Sequence, residues 1–185
     1  MKEQGSNGAP ATRRRISAEM ITALSAVLIG VCAVTVSLYE TTLMRQQIKG
    51  ASWPHVDLGY SYNQDGFRYI MVNNGVGPAR IIHAIVRVDE QPVPDWQALF
   101  EALDLKVGNY MTSMVSRRVM APGSMVELLV LSPKEDVDRF HALQSRISAE
   151  VCFCSVHNDC WRQNTVDEAQ PVRSCDTAVE PLFVN

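Results

Sequence analysis

Hydrophobic positions follow two different patterns along this chain: one long apolar run comes first, and short alternating runs follow it. The apolar run, from Met20 to Tyr39, holds twenty residues without a charge and is bounded by Glu19 and Glu40. A helix rises about 1.5 Å per residue, so a run of this length crosses a hydrocarbon core of about 30 Å. The pattern therefore predicts one transmembrane helix.

Three export signals compete with this interpretation of the apolar run. A cleaved signal peptide has a shorter apolar core and a small-residue cleavage site. A lipoprotein anchor at Cys32 needs a small residue where Val31 stands, and a twin-arginine signal needs an apolar residue where Ser17 stands. These departures favour a retained membrane anchor.

The chain after the anchor alternates between apolar and polar residues, as half-buried strands do. The segment "ETTLMRQQIKG" first extends the helix as a stalk to Gly50, and Pro54 ends it. Seven strands are then predicted, at "HVDLGYSY", "FRYIMV", "RIIHAIVRVD", "YMTSMVSRRVM", "MVELLVL", "ISAEVCFCSV" and from "CWRQ" onwards. Turns are predicted at "NQDG", "NNGVGPA", "EQPV", "APGS" and "HND".

Two short helices interrupt the strands. "PDWQALFEALD" places apolar residues on one face, with Pro94 and Asp95 suited to its first turn. "PKEDVDRFHALQSR" has Ser132 as a cap, Pro133 at its first position and acidic residues in its first turn. Strands and helices do not alternate as they do in βαβ folds. These elements therefore predict a mainly β fold: an antiparallel two-sheet sandwich with one or two short helices on its edges.

The expected organisation follows from these elements and from the length of 185 residues. Residues 1–15 form a flexible basic tail, 16–49 the transmembrane helix and stalk, and 50–185 one sandwich domain. This is one domain with an accessory segment, because two full domains would need a longer chain.

Charge is distributed unevenly along the chain. The net charge of -3 combines six basic and three acidic residues in 1–49 (+3) with eleven basic and seventeen acidic residues in 50–185 (-6). An acidic domain has no electrostatic reason to bind nucleic acid. Arg13, Arg14 and Arg15 adjoin the helix, which predicts a cytoplasmic N-terminus and, in a Gram-negative cell, a periplasmic domain. The inverted orientation stays open.

Four cysteines carry the main chemical signal of the domain. Cys152, Cys154, Cys160 and Cys175 have the spacing C-x-C-x5-C-x14-C, while Cys32 lies in the apolar run. An even number of cysteines in an oxidising compartment predicts two disulfides. Cys152 and Cys154 lie on one side of a strand, so each needs a partner beyond the turn. Of the three connectivities we favour Cys154–Cys160 with Cys152–Cys175, which ties down the C-terminal tail.

Other chemistry has weaker support. A zinc site from these cysteines and His157 lacks the paired spacing of strong sites, although an inverted topology would favour it. A redox-active dithiol of Cys152 and Cys154 is a further alternative. Hydrolase, metalloprotease and P-loop motifs are missing from the sequence, so we expect no catalytic site and no cofactor.

Several other side chains that could carry function are better explained by structure. His83 is expected to be a core histidine, and Asp136 and Asp138, beside Glu135, a solvated helix turn rather than a calcium site. Trp96 and Trp161 are expected to pack in the core or at an edge, and they are the candidates for a recognition surface.

Two segments resemble known extracytoplasmic modules. "YIMVNNGVGPARIIHAIVRVDEQPV" is similar to the strand, turn and strand of immunoglobulin-like modules, and "VMAPGSMVELLVL" resembles their Pro-Gly hairpin. One membrane helix, Trp53-Pro54, "NNGVGPA" and "CSVHNDCW" together resemble the layout of a loose group of uncharacterised single-pass bacterial membrane-anchored proteins. The resemblance implies an immunoglobulin-like sandwich and carries over no activity or ligand.

These observations favour a membrane-anchored periplasmic interaction or accessory module of an envelope complex over an enzyme. The expected partners are membrane lipid and either a membrane protein or a second copy, approached through the small residues Ala23, Ala26, Gly30 and Ala33. One alternative is an inverted effector or sensor with a cytosolic zinc-stapled domain. A second alternative is a thiol oxidoreductase that uses Cys152 and Cys154.

Overall fold

The chain forms two compact units, residues 1–46 and 47–185. The computed structural model describes residues 17–63, 66–132, 134–175 and 181–184. The basic tail with Arg13 to Arg15 therefore lies outside the described residues.

The first long element is helix α1, Ala18–Ala51, with 34 residues and no buried side chain. It is long and apolar enough to cross a membrane, as the membrane anchors and signal sequences of other proteins are. The predicted stalk belongs to this helix, which continues one residue past Gly50.

The second unit consists mostly of strands. They are β1 Val56–Asn63, β2 Gly66–Asn73, β3 Ala79–Val88, β4 Gln91–Val93, β5 Tyr110–Thr112, β6 Arg118–Met120, β7 Met125–Leu131, β8 Ile147–Cys154, β9 Cys160–Asn164 and β10 Gln170–Val172. One antiparallel sheet has the order β1-β2-β7-β5; the other has β10-β9-β8-β3-β4, with β6 also paired to β3. The two sheets pack as a sandwich, which confirms the mainly β architecture.

The core lies between the sheets and contains the inward residues of the long strands. The fully buried side chains include Phe67 and Met71 of β2, Ile81 of β3, Leu129 of β7 and Phe153 of β8. In the first hairpin β1 pairs with β2 over its whole length. Its predicted turn, with Asp65, falls on residues outside the described part of the chain.

One predicted strand was wrong. "YMTSMVSRRVM" forms two three-residue strands in different sheets: β5 pairs with β7, and β6 pairs with β3. The chain between them crosses from one sheet to the other, with Val115 buried and Arg117 at a φ of 56°. Apolar and polar residues alternate through this segment as they would in a single strand, so the sequence pattern does not reveal the break.

The predicted turn at "EQPV" was correct only at its start. Asp89 and Glu90 turn the chain with positive φ, and Gln91–Val93 then forms β4. Strand β10 was not predicted, because Pro171 weakens a strand pattern; the structure places it at an edge, where proline is tolerated.

Both short helices are present, and the first starts later than predicted. Helix α2 is Trp96–Ala102, and Asp95 is its N-cap, with Oδ1 accepting the Ala98 N–H at 2.8 Å. Pro94 and Asp95 therefore precede the helix and do not form its first turn. Helix α3 is Lys134–Leu143, followed by a 3-10 turn at Gln144–Arg146. Pro133 lies outside the described residues.

Asn73 holds three loops together at one end of the sandwich. It is fully buried, and its Nδ2 donates to the carbonyl oxygens of Gly77 (2.9 Å), Met120 (3.2 Å) and Ala121 (3.2 Å). Its Oδ1 accepts the N–H groups of His55 (3.2 Å) and Gly75 (3.1 Å). One amide side chain thus bonds to backbone groups of three separate segments.

The turn "NNGVGPA" needs its glycines because the entering chain passes against them. A Cβ on Gly77 would lie 2.0 Å from the Ser52 carbonyl oxygen, and one on Gly75 would lie 2.3 Å from the His55 nitrogen. Only residues without a side chain allow this approach.

Candidate functional site

The four cysteines gather at the end of the β8–β9 hairpin. Cys154 faces Cys160 directly across the ladder, and the two form a disulfide with a Cα separation of 4.0 Å. Cys152, two residues earlier on the same face, forms a disulfide with Cys175, at a Cα separation of 5.6 Å. This is the connectivity favoured from the sequence, where strand alternation by itself excluded only a Cys152–Cys154 bond. The free cysteine among the described residues is Cys32.

The turn of this hairpin is built around Ser155. Its hydroxyl oxygen accepts the N–H groups of His157 (3.1 Å) and Asp159 (3.3 Å), and its own N–H donates to the Asp159 carbonyl at 2.8 Å. Asn158 takes a left-handed φ of 61°, which asparagine tolerates well. The turn thereby aligns Cys154 with Cys160.

The two disulfides touch each other. Cys154 Sγ lies 3.6 Å from Cys175 Sγ, and the cluster is buried against Ile82 and Val172. Within the described part of the chain, the sulfurs of Cys154, Cys160 and Cys175 lie within 4.8 Å of one another, a spacing that a metal ion could bridge. Sulfurs in disulfides are not thiolate ligands, so only the reduced protein could bind metal here.

The other candidate residues from the sequence either lie apart from this cluster or are held in its disulfides. His157 is exposed in the turn and does not join the group of sulfurs. Cys152 and Cys154 are both buried and are bonded to other partners, not to each other. His83 is buried on β3, opposite Cys152.

The two candidate tryptophans pack against other rings. Trp96 is 6% exposed and meets Phe183 edge-to-face at 4.9 Å, while its Nε1 has no hydrogen-bond partner among the described residues. Trp161 is half-buried and stacks on Phe153 at 5.8 Å. Trp96 is therefore a core residue, and of the two only Trp161 reaches the surface.

Asp136 and Asp138 each accept a hydrogen bond from another part of the protein. The Tyr62 hydroxyl donates to Asp138 Oδ1 at 2.8 Å, and this bond raises the pKa of Tyr62. Asp136 Oδ2 accepts the Gly108 N–H at 3.2 Å. The Tyr62 ring also stacks on His141 at 4.0 Å, so α3 covers the end of β1.

A groove that sequence reasoning missed runs beside β1, which is an edge strand of its sheet. The β1 groove has a volume of about 460 Å³ and lies between Leu58, Gly59 and Tyr60 on β1 and Gln144 and Thr165 on the opposite side. An apolar cavity of about 30 Å³, which Trp96 helps to line, shares Leu58, Gly59 and Thr165 with it. The sandwich is thus open on this side.

The sequence signal for this groove is faint. Gly59 interrupts the alternation of β1 and removes a side chain at the groove's rim, but a single glycine in a strand has several common explanations.

Comparison with protein-family models and with curated protein sequences finds no match to this chain. The features of the described chain that bear on its function are the long apolar helix, the disulfide cluster and the β1 groove.

Proposed function

We propose that this chain is an exported, membrane-anchored interaction module that presents its sandwich to a protein partner at the cell envelope. The proposal rests on one observation: a long apolar helix, Ala18–Ala51, is followed by a domain with two buried disulfides. Stable structural disulfides form in oxidising compartments, and cytosolic thiols are kept reduced. We therefore propose a cytoplasmic N-terminus and a periplasmic domain, in agreement with the arginines before the helix.

The strand order supports an immunoglobulin-like arrangement. Constant-type immunoglobulin domains have the sheets A-B-E-D and C-F-G. Taking β1, β2, β3, β5, β7, β8 and β9 as strands A to G gives β1-β2-β7-β5 and β3-β8-β9, with β4, β6 and β10 as additions at the edges. The disulfides differ, since neither joins the two sheets through β2. The resemblance therefore concerns topology and not the immunoglobulin disulfide.

A binding role is supported by what the sandwich exposes. Proteins use strand edges and grooves of rigid sandwiches to recognise partners. Here the edge strand β1 is accompanied by the groove of about 460 Å³, and the disulfides stiffen the opposite sheet. The proposed partner is a membrane protein or a second copy of the chain.

The experiment that tests the proposal is thiol labelling of intact cells with a bulky membrane-impermeant maleimide, in a Cys32→Ser background. An exported domain gives a gel shift only after reduction, because its cysteines are bonded. Labelling that appears only after cell lysis would place the domain in the cytosol and overturn the proposal. A Met111→Cys variant is the positive control, since this side chain is 64% exposed and the new cysteine can be labelled without reduction.

A second candidate, the inverted zinc-stapled domain, is favoured by one observation: three cysteine sulfurs lie within 4.8 Å of one another. It predicts close to one equivalent of zinc in protein purified without oxidation. Purified protein with two disulfides and no zinc would eliminate this candidate.

A further inference from the structure

We infer that β1 is a self-association surface, through which two copies of the chain pair antiparallel and join their four-stranded sheets. The inference rests on the proposed interaction role and deepens it by naming the partner. It concerns the free edge of β1, the side that does not pair with β2.

The first argument is a comparison of the sheet edges. Among the described residues the edge strands β4, β5, β6 and β10 have three residues each, and β4 and β10 contain Pro92 and Pro171. Strand β1 has eight residues, a continuous register with β2, and neither proline nor lysine. Natural proteins shorten, charge or cover edges that must not pair. Before Tyr62, β1 shows none of these protections except the single charge of Asp57, and only its end, at Tyr62, is covered by α3.

The second argument concerns the backbone groups on this edge. The Asn74 N–H donates to the His55 carbonyl at 2.7 Å, which makes this residue pair a hydrogen-bonded one. Alternate residues of β1 then bond to β2, while the N–H and C=O groups of Leu58, Tyr60 and Tyr62 point away from it. Within the described chain these groups have no backbone partner on that side. An acyl chain or a sugar would not match this row, whereas another extended strand would.

The third argument is that β1 is complementary to itself. With a twofold axis at Gly59, Tyr60 of one protomer lies opposite Leu58 of the other, and Asp57 lies opposite Ser61. Each favourable pair then occurs twice, and no like charges meet. The β1 groove leaves room for the Leu58 and Tyr60 side chains of the second strand.

The inference is tested by cysteine cross-linking of the purified full-length chain in detergent, with Cys32 replaced by serine. Gly59→Cys places two cysteines opposite each other at a Cα separation of about 4.5 Å, within the range of a disulfide. Mild oxidation should therefore give a disulfide-linked dimer on a non-reducing gel. The matched control is Met111→Cys on the short edge strand β5, a position that at 64% exposure is more accessible than the half-buried Gly59.

The outcomes distinguish between the possible binding partners of β1. Dimer formed several-fold more readily at Gly59 than at Met111 supports pairing through β1. Equal cross-linking at both positions would overturn it. If Gly59→Cys in native membranes instead forms an adduct with a different protein, the strand pairs with another partner and the second copy is excluded.

A second variant removes the dependence on cysteine chemistry. Gly59→Lys should be tolerated by the fold, since a Cβ there lies 4.0 Å from Ile70 Cγ1, an ordinary contact. In the dimer it places two lysines face to face, which should convert dimer to monomer in light scattering. Met111→Lys should leave the dimer intact.

A wild-type monomer, or a dimer that Gly59→Lys does not weaken, would overturn the inference. These measurements in detergent do not depend on which side of the membrane the domain occupies. An exported domain that proves monomeric would leave the proposed function standing.

Discussion

Cys154 Sγ lies 3.6 Å from Cys175 Sγ, although the two sulfurs belong to different disulfides. A thiolate at either position would be within reach of the neighbouring bond. Thiol–disulfide exchange proceeds by attack of a thiolate on a disulfide sulfur, so access between the groups is one of its requirements. The cluster therefore connects the β8–β9 hairpin chemically to the tail that carries Cys175.

The first prediction follows from this contact. In a Cys160→Ser variant, the freed Cys154 thiolate should attack Cys175 Sγ, form a Cys154–Cys175 bond and release Cys152 as a thiolate. Peptide mapping by mass spectrometry without reduction should find this bond in part of the protein. In the control, Cys175→Ser, the bond Cys154–Cys160 should stay intact. Detection of Cys152–Cys175 alone in Cys160→Ser would contradict the prediction.

The second prediction compares the contributions of the two disulfides to stability. Cys152–Cys175 spans 23 residues and Cys154–Cys160 spans 6. In the chain-entropy model the longer loop contributes about 3 kcal/mol and the shorter about 2 kcal/mol. Replacing Cys152 and Cys175 together by serine should therefore lower the free energy of unfolding more than replacing Cys154 and Cys160. Urea unfolding of the full-length variants measures the difference, and the reverse order would count against it.

The sequence predicts this part of the molecule well because the signals are local. Alternation on β8 puts Cys152 and Cys154 on one face, and the short turn leaves Cys160 opposite Cys154. The apolar run and the hairpin of β1 and β2 are equally local. Each depends on residues that are close in sequence, so spacing alone identifies them.

Features that depend on distant contacts were not predictable. The break between β5 and β6 arises because the chain changes sheets, and no residue in it signals which sheet each half joins. The β1 groove forms between β1 and residues more than eighty positions later, such as Gln144 and Thr165. Trp96 was correctly expected to pack, but only the fold shows that it lines the small apolar cavity that shares residues with this groove.

The third prediction concerns Asn73, whose side chain makes five hydrogen bonds to backbone groups of three loops. Asn73→Ala leaves buried donors and acceptors without partners, at a cost of about 1–3 kcal/mol for each group left unpaired. We expect a loss of about 3 kcal/mol in the free energy of unfolding, measured in urea.

The adjacent residue provides the control for this experiment. Asn74 is exposed and donates to Asp57 Oδ2 at 2.7 Å, so Asn74→Ala should cost about 0.5 kcal/mol or less. Equal losses for the two alanine variants would mean that the buried network does not hold the loops.

The fourth prediction concerns the pH dependence of Asp89, at the β3–β4 turn. Arg146 donates to its carboxylate from Nε at 2.9 and 3.1 Å, and this hydrogen bonding lowers the pKa of Asp89. A carboxyl whose pKa is lower in the folded state stabilises the protein above its unfolded pKa of about 4, and this contribution is lost as pH falls through the folded value.

Wild type should therefore be more stable than Asp89→Asn at pH 7, and the difference should shrink in acid. Both residues are exposed, so the effect should be small and should weaken in salt. Thermal unfolding of both proteins, from pH 7 down into acid, measures the difference in stability. Glu90→Gln is the control at the neighbouring residue. A difference that grows as the pH falls would show that the Asp89–Arg146 ion pair does not cause it.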